Sequence, residues 1–156
     1  MLGDADKRSA RRSRPCAIDP IRSRDGTVAV ARATPWSGLL LLLEPPGGMV
    51  EEHEGILEAA ARELSEETGF AAADLRLVGQ TWLASYATHR RYAVLATGCR
   101  RVGEQRLDQD EFSEVATMTL GEFVSHLRTG QLTDVDIAWM CVDRMTPWPI
   151  DEAAIG

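Results

Sequence analysis

The chain has 156 residues, 44% of them apolar and 26% charged, the profile of one ordinary globular domain long enough to bury a core. With 24 acidic against 17 basic residues it carries a formal charge of −7, which disfavours non-specific binding to nucleic acid or to an anionic membrane surface. Three scattered cysteines (Cys16, Cys99, Cys141) do not make a disulfide framework or a zinc ribbon, and no apolar run has signal-peptide or membrane-spanning character, so a cytoplasmic protein with no membrane partner is expected.

In chain order, residues 1–24 come first, with seven bases (Lys7, Arg8, Arg11, Arg12, Arg14, Arg22, Arg24) against three acids. They read as a loosely held basic tail ahead of a single domain over 25–150. No aromatic side chain is interleaved to stack on bases, which argues against a nucleic-acid arm. Thr27–Ala33 and Leu39–Leu43 read as strands around a turn at Thr34–Gly38. Then comes Glu44-Pro45-Pro46-Gly47-Gly48, in which the prolines stiffen the chain and the glycines let the backbone approach a ligand closely. Leu57, Ala60, Ala61 and Leu64 recur at helical spacing, and Gly69 offers a left-handed stop.

Leu75–Leu83 and Tyr92–Thr97 read as strands joined through Ala84–Arg91. In that connection Tyr86, Arg90 and Arg91 suit either a pyrophosphate-and-base contact or a hairpin of solvated charges. Arg100–Asp110 is polar loop and Ala116–Met118 strand. Thr119 and Glu122 form a capping box for a helix through Arg128 that Gly130 closes. Thr133 and Asp136 open a last helix whose apolar face is Val135, Ala138, Trp139, Val142 and Met145, ended by Pro147.

One feature of the first helix breaks local rules. Glu63, Glu66 and Glu67 share a face at its C-terminal end, where like charges repel and the helix dipole favours cations. At about 6 Å and an effective dielectric near 20, each repulsion is on the order of 2–3 kcal/mol before screening. A hard divalent cation, Mg²⁺ or Mn²⁺, is the remedy that carboxylate oxygens favour. The surrounding residues extend the pattern: Gly48, five residues, Glu54, seven residues, then Arg62-Glu63-Leu64-Ser65-Glu66-Glu67-Thr68-Gly69-Phe70. This resembles the Nudix box, G-x5-E-x7-R-E-U-x-E-E-x-G-U with U a bulky apolar residue; the aromatic Phe70 is its one soft departure.

The resemblance implies a Nudix-type α/β/α sandwich with a central mixed sheet, and hydrolysis of a nucleoside diphosphate derivative. It also implies metal ligation by Glu63, Glu67, Glu66 and the carbonyl of Gly47, with Arg62 orienting the carboxylates and Glu54 in an outer position. Glu44 ahead of the Pro-Gly loop, and the order from Asp110-Glu111-Phe112 through the last helix, are similar to the ADP-ribose pyrophosphatase branch, which implies a substrate contact for Glu44. In that branch a residue corresponding to Glu111 serves as general base, Glu66 being the other choice here, and homodimers are common. The implied products are AMP and a sugar phosphate. Tyr86 stands where that branch has proline, and a tyrosine there marks hydrolases of dinucleoside polyphosphates. That activity, or hydrolysis of nucleoside triphosphates, is the alternative; a non-catalytic nucleotide-sensing module is the third reading.

Overall fold

The computed structural model describes residues 14–22, 27–33, 42–107 and 113–145. Three strands form a mixed sheet in the order β1-β6-β5: β1 (Arg14–Arg22) runs parallel to β6 (Arg90–Thr97), which pairs antiparallel with β5 (Asp74–Trp82). A second sheet is antiparallel, with β2 (Thr27–Ala33) between β3 (Leu42–Glu44) and β8 (Ser113–Thr119). Two short strands, β4 (Phe70–Ala71) and β7 (Arg100–Arg101), pair beside the C-terminal end of helix α1 (Ile56–Thr68).

Alternation along β6 explains the layering. Ala93 and Leu95 pack into one cluster with Phe123, Leu127, Ile137, Ala138 and Cys141, from helices α2 (Leu120–Thr129) and α3 (Val135–Met145). Val94 packs with Ala60, and Ala96 with Leu64, both on α1. Successive side chains of a strand point to opposite faces, so helices cover both sides of the mixed sheet, as an α/β sandwich requires. The expected apolar face of α3 lies in this core: Ala138 and Val142 are buried, while Val135, Trp139 and Met145 pack against them. Among the described residues, no helix is long and apolar enough to cross a membrane.

Residues 14–22, grouped by sequence with a basic tail, instead form β1 alongside β6. Pro15 and Pro20 obscure the strand in RPCAIDPIR, but proline is tolerated at a sheet edge, where β1 lies, and the register slips between Ile18 and Arg22 around Pro20. The capping box of α2 forms as expected: Thr119 Oγ1 accepts from Glu122 N–H at 3.2 Å, and the Glu122 carboxylate accepts from Thr119 N–H at 2.7 Å. At the second expected box, α3 begins at Val135, the Thr133 N–H donates to Glu44 and the Asp136 carboxylate accepts from Arg91, partners described below.

Gly69 ends α1 and Gly130 ends α2, both left-handed, with φ of 73° and 69°. A Cβ on Gly130 would meet nothing among the described residues within 4 Å, whereas one on Gly69 would stand 2.4 Å from the carbonyl oxygen of Gly103. Gly130→Ala is therefore expected to cost about 1 kcal/mol, the conformational penalty alone, and Gly69→Ala clearly more. Urea unfolding of the two variants checks this, and equal losses would remove any role for the contact with Gly103.

Candidate functional site

The site is built on the exposed face of α1. Glycine stands at its N-cap, and the Glu58 carboxylate accepts the Gly55 N–H at 2.8 Å, which leaves the loop ahead of it free to turn back over the helix. That loop is pinned by Arg62. Its Nε and Nη2 donate to the two oxygens of Glu54 at 2.9 and 3.0 Å, and Nη2 also donates to the carbonyl of Met49 at 2.9 Å. Its Nη1 donates to Glu63 at 2.9 Å and to Glu66 at 3.1 Å. A guanidinium has five N–H donors, and all five are used.

Hydrogen bonds to Glu54 first, then those to Glu63 and Glu66, raise the Arg62 pKa above its ordinary value against the opposing effect of burial. The same bonds hold the Glu54 carboxyl below the usual carboxylate range. Glu54 Oε2 also accepts the Glu51 N–H at 3.0 Å, and His53 between them adopts a left-handed φ of 75°, a region that histidine enters more readily than most residues.

The other side of the site is the glycine loop. Gly47 N–H donates to Glu67 Oε2 at 3.0 Å. A Cβ on Gly48 would fall 2.0 Å from Glu63 Oε1, so the Glu63 carboxylate occupies the space that any side chain there would need. Glu63 and Glu67 are thus brought against the loop, while Glu66 turns to Arg62. Among the described residues, no three His, Cys, Asp or Glu side chains form a group that could hold a metal ion by themselves.

The remaining candidates separate. Tyr86 is 93% exposed at the tip of the β5–β6 connection. Arg90 is exposed too, its guanidinium 4.5 Å above the ring of Trp82 and donating to Gln80 at 3.1 Å. Arg91, read from sequence as a substrate contact beside them, is only 9% exposed and points the other way. It pairs with Asp134 and with Asp136, the latter at 2.6 Å. Burial works against its charge, but Asp136 and Asp134 outweigh it and keep the pKa raised. Its Nε is buried with no hydrogen-bond partner among the described residues, a cost of about 1–3 kcal/mol. Glu44, also expected at the substrate, accepts the Thr133 N–H through both oxygens at 2.8 and 3.1 Å. Burial pushes its carboxyl above the usual range and the nearby charge of Asp134 adds to this, while the bonds from Thr133 pull it back. Glu111 lies outside the described residues.

Sequence reasoning missed the ties of Asp134, Asp136 and Thr133. The signal was there: two aspartates flanking a helix start, and two adjacent arginines opening a buried strand.

The NUDIX domain matches residues 11–149 of the chain. The methanol dehydrogenase activator of Bacillus methanolicus is 30% identical over 100 residues, covering 60% of this chain and 51% of that protein. The ADP-ribose pyrophosphatase of Bacillus subtilis (strain 168) is 31% identical over 100 residues, covering 63% and 54%. The match thus spans about half the length of these curated relatives. A crystal structure of an ADP compounds hydrolase superposes with a TM-score of 0.71 at 20% identity, over 86% of this chain and 72% of that one, a likeness of fold.

The depressed carboxyl of Glu54 gives a pH test. A group held below its ordinary value of 4.5 in the folded state adds stability above that value and loses it as pH falls through the depressed one. Glu54→Gln is expected to destabilise by about 2 kcal/mol at pH 7, and the gap to the unmodified protein should shrink below pH 4.5. Urea unfolding at pH 7 and pH 3 reads it; a gap independent of pH would contradict the assignment.

Proposed function

As the chain belongs to the NUDIX domain family, we propose that it is a divalent-metal-dependent pyrophosphohydrolase cleaving a phosphoanhydride in a nucleoside diphosphate derivative, ADP-ribose or a related nucleotide sugar. The observation that carries this reading is the seat of the Glu63 carboxylate in the space beside Gly48, with Glu67 held on the Gly47 N–H. These are hard oxygen donors against a bare backbone, the donor chemistry that Mg²⁺ or Mn²⁺ favours when it shares its shell between a few carboxylates and substrate phosphates. Glu63 and Glu67 would hold the ion, with the Gly47 carbonyl and Glu66 as further ligands; when bound, it neutralises the pyrophosphate and makes water a better nucleophile.

The chain's own residues do the rest. Arg62 fixes the directions of Glu63 and Glu66, so no reorganisation is needed as charge develops. Glu111 or Glu66 takes the proton of the attacking water, which adds to one phosphorus as the bridging oxygen leaves with the other, releasing AMP and a sugar phosphate. Arg90, exposed and oriented by Trp82 and Gln80, is free to meet a phosphate, and Tyr86 a base. Glu44 and Arg91 support the site from within rather than by touching substrate.

The name of the ADP-ribose pyrophosphatase relative supports the nucleotide-sugar class. The fully presented Tyr86 favours a second reading, hydrolysis of dinucleoside polyphosphates.

Purified protein assayed with Mg²⁺ or Mn²⁺ on ADP-ribose, sugar nucleotides, diadenosine polyphosphates and deoxynucleoside triphosphates separates the two. Release of AMP from ADP-ribose is expected, with Glu67→Gln losing at least ~100-fold in kcat/KM. Absence of turnover with either metal, or full activity in Glu67→Gln, would refute the proposal.

A further inference from the structure

The buried Arg91 belongs to a chain of contacts that ends at the glycine loop. Arg91 grips Asp134 and Asp136 at the start of α3. The preceding residue, Thr133, donates its N–H to both oxygens of Glu44, the last residue of β3. One residue earlier, the carbonyl of Leu43 meets the His126 ring at 3.0 Å. Beyond Glu44 come Pro45 and Pro46, both buried, then Gly47 and Gly48 against Glu67 and Glu63.

Little slack exists in this path. Each proline has a fixed φ, and a residue that precedes a proline is confined to extended conformations, which constrains Glu44 and Pro45 together. A displacement of the Glu44 carboxylate is therefore passed on to Gly47. An ion group of this kind is also a poor source of net stability, since well-packed apolar residues commonly do as well in its place. What charge and bidentate geometry do supply is a unique position.

We infer that Arg91, through Asp134 and the Thr133–Glu44 contact, is a positioning residue that sets where the glycine loop lies on the carboxylates of α1. The inference deepens the pyrophosphohydrolase reading, because the loop so placed is the proposed metal seat. Yet its first consequence, the Gly47–Glu67 bond, does not require that reading.

Two measurements keep the questions apart. The first is amide hydrogen exchange by NMR on the full chain without metal. In Glu44→Gln, Asp134→Asn and the milder Arg91→Lys, which keeps the charge but loses the two-carboxylate grip, exchange at Gly47 is expected to quicken about tenfold or more while Val124 and Leu127 keep their protection. Unchanged exchange at Gly47, or a uniform rise at all amides, which is what a purely structural role would give, overturns the inference. The second is Mn²⁺ titration of the same proteins, followed by electron paramagnetic resonance. The Kd is expected to rise roughly tenfold, the scale for groups that orient metal ligands, and a Kd within twofold of the unmodified protein counts against the relay. Absence of Mn²⁺ binding by the unmodified protein would sink the metal reading alone, leaving Gly47 exchange to decide the relay.

Discussion

Four carboxylates crowd the exposed side of α1 and the loop over it, and among the described residues the Arg62 guanidinium stands between them. Taken by themselves, Glu54, Glu63, Glu66, Glu67 and Arg62 sum to a formal charge of −3 in one turn and a half of helix and its overlying loop. Unopposed, neighbouring pairs would repel by about 2–3 kcal/mol each before screening. Arg62 answers with a rigid fork of donors that a lysine ammonium could not reproduce. It reaches the loop at Met49 and Glu54 with one edge and the helix at Glu63 and Glu66 with the other. Loop and helix are therefore one unit. The left-handed turn at His53 is the conformational cost of bringing Glu54 back to that guanidinium.

The glycine loop forms the second wall of the site. With glycine at 48, the Glu63 carboxylate sits where a Cβ would stand, so a larger residue there would displace that carboxylate. Glycine at 47 offers its N–H to Glu67. Glu63 and Glu67 are thus held against bare backbone, the hard oxygen donors on which the proposed metal seat rests.

Sequence legibility followed the range of the interaction. The spacing from Gly48 to Phe70, the α2 capping box and the apolar face of α3 are local patterns, and each was readable. What depended on tertiary register was not. Arg90 and Arg91 are chemically identical neighbours; the strand begins at Arg90, so alternation sends one to the surface beside Trp82 and the other inside to Asp134 and Asp136. Starting the strand at Tyr92 left both in a loop and made both seem available. Likewise Thr133 and Asp136 have the spacing of a capping box, but Glu44 and Arg91, distant in sequence, claimed them first. The edge strand β1 was hidden by its prolines, and the pairing of β4 with β7 is too short to leave a periodic trace.

That last pairing resolves the remaining conflict, the placing of acids at the negative end of a helix. The chain returning from β7 lays its donors over the terminal carbonyls of α1. Arg106 N–H bonds the Glu66 carbonyl at 2.8 Å, and the Gln105 side-chain amide bonds that of Glu67. Just beyond, Val102 and Gly103 N–H groups bond the Gly69 carbonyl at 2.8 and 3.2 Å. The partial negative charge of a helix end resides on just these unsatisfied carbonyls. Once they are paired, the dipole's penalty on Glu66 and Glu67 is reduced at its source, and the repulsion that remains is among the side chains, where Arg62 meets it at Glu66. The absence of a side chain at Gly69 belongs to the same solution, because any Cβ there would push away the carbonyl of Gly103 and with it the segment that supplies these donors.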